Sequence, residues 1–196
     1  MKTGIIILAA GNSSRLGRPK QLLNYNGKTL LNIASEEAIK SSLKPIVVVL
    51  GAFAKEILKD HHRPEINYMI NDHWKEGMSS SISAGVTTLL DLEPELEHVI
   101  ISVSDQPFIS SGIFENLLKK KKLTGKHIVA SSYAETVGTP TLFHKKYFDQ
   151  LKSLTGNKGA KDILIHHPED TETLVFERGF IDIDTETDYN NLIADK

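Results

Sequence analysis

Three short runs, IIIL (5–8), IVVVL (46–50) and VIISV (99–103), are apolar at nearly every position rather than at alternate ones. Such strands are covered on both faces, as in a parallel sheet flanked by helices. With two further β-branched stretches, the pattern predicts strands over Gly4–Leu8, Ile46–Leu50, Ile66–Ile70, His98–Val103 and His127–Ser131. Between them, Leu30, Ile33, Ala34 and Ala38 follow a helical spacing behind Thr29, a good helix cap. Ile82, Val86, Leu89 and Leu90 do the same behind a run of serines. Strands alternating with helices give right-handed βαβ units, hence an α/β fold: a three-layer α/β/α sandwich around a mostly parallel sheet. The last third is less regular. It predicts a loop at Gly138, Thr139 and Pro140, a helix from about His144 to Leu154, and short strands at Leu174–Phe176 and Phe180–Ile183. No repeat or linker divides the chain, so residues 1–196 are expected to form one domain.

Composition limits the partners. Twenty-three Lys and Arg against 25 Asp and Glu leave a net charge of -2, without the basic field that nucleic-acid binding needs. The chain has no cysteine, which excludes disulfides, thiolate metal sites and a cysteine nucleophile. The first apolar stretch is too short for a signal-peptide core, and no segment reaches the ~20 apolar residues of a membrane span. A cytoplasmic protein with no membrane partner is the expectation.

Ligands of open α/β sheets bind outside the carboxyl ends of the strands. After the first strand comes AAGNSSRLGRPK (9–20), where Gly11 and its small neighbours let backbone N–H groups approach a phosphate, and Arg15 and Lys20 can neutralise a polyphosphate. The loop is not a P-loop, since Arg18 and Pro19 separate Gly17 from Lys20 and Gln21 follows the lysine. Nor is it the dinucleotide fingerprint, because Ser13 stands where the second glycine belongs. Arg18 either guides a leaving pyrophosphate or faces water.

The fourth strand ends in SDQPF, which places Asp105 at the mouth shared with the first loop, suited to hold magnesium beside a nucleotide. In FIDIDTETDY, a strand would turn Asp182 and Asp184 the same way and Ile181 and Ile183 into the core. Either acid then completes the metal site or caps a helix starting near Thr185. A third loop, NDHWKEGMSSSISAG, brings Gly77, Ser79, Ser80 and Ser81 to a helix N-terminus, an anion- or base-binding surface, with Asn71 and Trp74 as candidate nucleobase contacts. Lys119–Lys122 read as a solvated helix end, and the pairs His61-His62 and His166-His167 lack metal-ligand spacing.

LAAGNSSRLGRPKQLL, GMSSSISAG, SDQPF, GTPTLF, GNKGAKDIL and DIDTETDY, in that order, resemble the MobA-like nucleotidyltransferases, most closely the molybdenum cofactor cytidylyltransferases. The resemblance implies a Rossmann-like, GT-A-like fold and an enzyme that moves CMP from CTP to the terminal phosphate of molybdopterin. It assigns Leu8, Ala9, Ala10, Gly11, Ser13, Ser14, Arg15 and Lys20 to the nucleotide, with Asn71, Gly77, Ser79, Ser80 and Ser81. Arg15, Lys20 and Asp105 are its catalytic group, Mg²⁺ on Asp105, Asp184 and Asp182 its cofactor, and Gln106, Gly138, Thr139, Pro140 and Gly159 its acceptor contacts. The Ala9-Ala10-Gly11 form leans to CTP over GTP. The other enzymatic readings are a guanylyltransferase on the same acceptor and a cytidylyltransferase on a sugar or polyol phosphate. A non-catalytic cofactor carrier is the reading from a different class. A molybdoenzyme or its chaperone would be the further partner. The chain departs from the family pattern at Glu186, often a proline, and at Asn157 and Lys161, often Asp and Arg.

Overall fold

In the computed structural model, which describes residues 1–157 and 159–194, the elements run in chain order as follows. They are β1 (Thr3–Ala9), the short antiparallel pair β2 (Asn24–Tyr25) and β3 (Lys28–Thr29), α1 (Leu30–Lys40), β4 (Ile46–Leu50), α2 (Ala54–Asp60), β5 (Asn67–Ile70), α3 (Met78–Leu92), β6 (His98–Val103), α4 (Ser111–Thr124), β7 (Ile128–Tyr133), β8 (Thr136–His144), α5 (Phe148–Lys152), α6 (Lys161–His166), β9 (Thr171–Val175) and α7 (Glu186–Ala194). Lys158, within GNKGAKDIL, lies outside the described residues. Seven strands form one sheet in the order β5-β4-β1-β6-β8-β7-β9. β1 pairs in parallel with β4 and β6, β4 with β5, and β7 with β9; β8 alone runs antiparallel to its neighbours.

The apolar runs are continuous because each strand feeds two cores. Ile5, Ile7 and Ala9 of β1 pack with α1 and α4 residues such as Leu31, Ala34, Phe114 and Leu117. Ile6 and Leu8 pack on the other face with Ile82, Val86 and Leu89 of α3 and with Phe148 and Leu151. Each fully buried Ile or Leu contributes about 1.5–3 kcal/mol, so the central strands are anchored from both sides. α3 lies close against the sheet because Gly85 has no side chain; a Cβ there would stand 2.9 Å from Ile6 Cγ2. Thr29 caps α1 by accepting a hydrogen bond from Asn32 N at 3.1 Å, as its spacing predicts. Among the described residues, no helix is long and apolar enough to cross a membrane.

The departures lie in the last third. Gly138, Thr139 and Pro140 are not a loop but part of β8, where the register against β7 shifts between Ala130 and Ser131. A proline is tolerated at such a bulge because no ladder hydrogen bond is asked of it. The hairpin tip is Ala134-Glu135, both at positive φ, a turn without the glycine or asparagine that marks one in sequence. The helix expected from His144 is a 3-10 turn (Lys145–Tyr147) followed by the short α5. Phe180–Ile183 is not a strand, and the alternation argument for Asp182 and Asp184 fails with it.

At the amino ends of the strands, His98 is buried with both ring nitrogens lacking a hydrogen-bond partner among the described residues. Burial, then the charge of Lys121, pushes its pKa from 6.5 down to about 4. Burial, then Arg63, does the same to His61. The folded protein keeps both rings neutral, whereas the unfolded chain takes up protons below 6.5, so stability present above that value is lost as pH falls. Thermal melting should therefore drop by several degrees between pH 6.5 and 4, and His98→Phe should shrink the drop. A melting temperature flat across that window contradicts this account.

Candidate active site

The carboxyl ends of β1 and β6 open into a cleft of about 650 Å³. One wall is the first loop, Leu8 to Arg15 with Lys20 and Gln21; the others come from Trp74, Lys75, Gly77, Met78, Ser81, Val103–Asp105, Asn157 and Asp184. The loop turns on Ser13, at φ 49, whose carbonyl accepts from Leu16 N and Gly17 N. Its hydroxyl accepts from Lys20 N at 3.1 Å, so the turn fixes the start of the lysine.

Lys20 Nζ lies 2.5 Å from Asp105 Oδ2 and 2.7 Å from Asp184 Oδ1, and Arg15 Nη2 lies 2.5 Å from Asp184 Oδ2. Burial works against the Lys20 charge, but the two carboxylates outweigh it, Asp105 first, and hold its pKa above 10.5. Burial likewise opposes ionisation of Asp184, and Lys20 with Arg15 overcomes it, holding the pKa below 3.8. Lys20 and Asp184 are both charged across the neutral range. The contribution from Asp184 is lost as pH falls below 3.8, and that from Lys20 as pH rises above 10.5.

Asp184 reaches the cleft through the main chain and a helix cap rather than a strand. Ile183 is fully buried, and its N–H donates to Asp105 O at 3.2 Å. Behind it, Thr185 and Asp188 cap α7 reciprocally: Thr185 N donates to Asp188 Oδ2 at 2.7 Å and Asp188 N to Thr185 Oγ1 at 3.2 Å. Asp188 Oδ2 also accepts from Asp184 N. Asp182 does not join the group. It is exposed and faces a separate groove, and residual burial, followed by the charges of Asp105 and Asp184, raises its pKa.

Other expected contacts stand behind the walls. Asn71 is buried, its Nδ2 donating to the hydroxyls of Ser80 and Ser81. Ser79 is fully buried, and the Ser80 hydroxyl donates to the carbonyls of His73 and Gly77, leaving Ser81 as the one of these three α3 serines on the cleft. The α3 N-terminus is partly used internally, since Ser79 N donates to Gly156 O and Ser80 N to Gly77 O. Gly77, at φ 104, makes room for that loop: a Cβ would fall 2.2 Å from Asn157 Oδ1. Gln106 is buried, Gly138 lies under the Tyr133 hydroxyl, Pro140 O accepts from Ser131 Oγ, and Gly159 packs beneath Met78. With Thr139, these expected acceptor contacts support the site rather than line the cleft. Arg18 pairs with Glu186 at 2.8 and 3.0 Å and sits 5.4 Å above the Tyr189 ring, so the acid at the usual proline position ties the loop to α7. Asn12, Lys75, Met78 and Ser104 also stand on the walls, and in the sequence only their place in loops that follow strand ends signals them.

Among the described residues, no set of three His, Asp or Glu side chains is arranged to hold a metal. What the cleft offers is two carboxylates, with Asp105 Oδ1 buried and without a partner among the described residues. An all-oxygen pair of this kind fits a hard divalent cation that takes its other ligands from phosphate and water.

A glycine loop, paired cations and paired acids at the carboxyl edge of a GT-A-like sheet define a nucleotidyltransferase. Residues 5–171 match the MobA-like NTP transferase domain, and the chain belongs to that family. It is 35% identical over 106 residues to nicotine blue oxidoreductase of Paenarthrobacter nicotinovorans, covering 54% of this chain and 50% of that protein. It is 26% identical over 166 residues to the purine catabolism protein PucB of Bacillus subtilis, covering 81% and 78%. It is also 26% identical over 113 residues to molybdenum cofactor cytidylyltransferase of Escherichia coli, covering 57% and 56%. The chain thus spans about half the length of the first and third of these relatives. Among solved structures, the Rv0371c homologue from Mycobacterium sp. strain JC1 superposes with a TM-score of 0.86 at 27% identity, covering 98% of this chain and 96% of that one. Rv0371c of Mycobacterium tuberculosis H37Rv in complex with manganese superposes with a TM-score of 0.78 at 22% identity, covering both chains fully at 100%.

The two ties on α7 differ in strength. Asp188→Ala removes a cap and should lower stability by about 0.5–2 kcal/mol. Glu186→Gln breaks an exposed pair worth about 0–1 kcal/mol. Denaturant melts of the two variants check the order, and an equal or reversed ranking contradicts it.

Proposed function

We propose that the protein transfers CMP from CTP to the terminal phosphate of a molybdopterin-type acceptor, releasing pyrophosphate, with Mg²⁺ as cofactor. The observation that carries this reading is the convergence of Arg15, Lys20, Asp105 and Asp184 beside the glycine loop, in a cleft large enough for a nucleotide. The Ala9-Ala10-Gly11 form of the loop supports CTP, and the name of the Escherichia coli relative supports the acceptor.

An acceptor phosphate oxygen forms a bond to the α-phosphorus of CTP, and the bond from that phosphorus to the β-bridging oxygen breaks. Pyrophosphate leaves with the electron pair. The attacking group is already an anion, so no protein base is needed. Two anions must meet, and Lys20 and Arg15 do the neutralising: drawn from the carboxylates to the triphosphate, they hold it and stabilise the charge that builds on pyrophosphate. Asp105 and Asp184 would hold magnesium, which supplies Lewis-acid neutralisation of the phosphate oxygens when bound.

The test is Mg²⁺-dependent pyrophosphate release with CTP and with GTP, each with and without molybdenum cofactor. Release that needs both CTP and the cofactor is expected. Preference for GTP would replace the nucleotide, turnover with a sugar or polyol phosphate would replace the acceptor, and binding without turnover would favour a carrier. Lys20→Ala and Asp105→Ala should each lower turnover about 10²–10³-fold in folded protein. Near-normal rates would remove them from the mechanism.

A further inference from the structure

Lys20 and Asp105, which meet in the cleft, are each followed by a glutamine that the transfer chemistry does not use. Gln21 and Gln106 are both buried, 1% and 4% exposed. Each directs its carboxamide nitrogen at two main-chain carbonyls of other segments. Gln21 Nε2 donates to Ala9 O at 2.9 Å and Gly11 O at 3.1 Å. Gln106 Nε2 donates to Thr139 O at 3.1 Å and Gly179 O at 2.7 Å. The carbonyl partners identify which atom of each carboxamide is nitrogen. Neither Oε1 has a partner among the described residues, so what each side chain contributes is its pair of N–H groups.

The two staples join different things. Gln21 binds the end of β1 and the glycine loop to the short turn that carries Lys20, and so fixes where the loop's N–H groups lie relative to the ammonium. Gln106 binds the Asp105 loop to β8 and to the turn at Gly179 that leads into Asp184. The Ile183 N to Asp105 O bond is a main-chain tie between the same two segments, beside the Lys20 ammonium that joins the carboxylates themselves. A leucine in either slot would bury a similar volume without an unpartnered oxygen, but would leave the loop carbonyls unmet.

Resting on the reading of this cleft as a nucleotide and metal site, we propose that Gln21 and Gln106 are positioning residues with separate duties. Gln21 sets the nucleotide loop against Lys20, and Gln106 sets Asp105 against Asp184. A merely structural role would weaken every property together; separate duties divide them.

The experiment uses Gln21→Leu and Gln106→Leu, with Gln→Met at each position as a second, unbranched filling of the slot. CTP binding is measured by calorimetry in EDTA, Mn²⁺ binding to nucleotide-free protein by electron paramagnetic resonance, and folding by thermal melting. Gln21→Leu should weaken CTP binding about tenfold or more and leave Mn²⁺ affinity within about threefold. Gln106→Leu should do the reverse, weakening Mn²⁺ about 10–100-fold while CTP binding in EDTA changes little. Folded variants that bind both ligands as wild type does would overturn the proposal. So would losses of both ligands that follow the fall in melting temperature, or failure of both fillings to fold at either position. Wild-type protein that binds neither CTP nor Mn²⁺ would instead sink the functional reading beneath it.

Discussion

The ammonium of Lys20 lies between two carboxylates from distant parts of the chain, Asp105 after β6 and Asp184 before α7. Two acids brought this close repel unless a cation joins them, and half-buried surroundings make the repulsion stronger than in water. The lysine offsets that repulsion in the empty cleft. Each neighbouring feature serves that contact. Ser13 holds the start of Lys20, Ile183 docks on the Asp105 backbone, and the Thr185-Asp188 cap holds Asp184 at the head of its helix.

The same arrangement explains how one cluster can serve both an empty and a loaded cleft. Arg15, 67% exposed at its side chain, and Lys20, 17% exposed, are paired with acids, and both line the cleft. On the proposed reading, a polyphosphate would compete with the carboxylates for these cations and leave the acids more available to a metal. Arg18 lies outside this cluster, paired with Glu186 and set over the Tyr189 ring, and so tethers the loop to α7 separately.

Much of this was legible in the sequence, and physical reasons separate what was from what was not. The strands of the parallel half stood out because burial on both faces leaves no polar position in IIIL or IVVVL. Arg15, Lys20 and Asp105 stood out because loops at strand ends carry chemistry and these residue types have few other reasons to cluster there. The β7-β8 hairpin was hidden because Ala134 and Glu135 make its turn without turn residues, and the bulge let a proline sit in a strand. Asp182 was grouped with Asp184 on an alternation that holds only in a strand, and Ile181–Asp184 is irregular chain. Asn71, Ser79 and Gln106 carry the polar atoms a ligand wants, yet each is buried, and Asn71 and Gln106 are bonded to the protein itself; no spacing rule distinguishes a side chain that faces a ligand from one that braces its neighbour.

Lys20 occupies, by ion pairing, the two carboxylates that a divalent cation would need. The direct measurement is Mn²⁺ binding to nucleotide-free protein by electron paramagnetic resonance, wild type against Lys20→Met. Removing the competing ammonium should tighten Mn²⁺ binding about tenfold or more, although the variant loses turnover. Equal or weaker binding in a folded Lys20→Met variant would show that the ammonium does not compete with a cation for these acids.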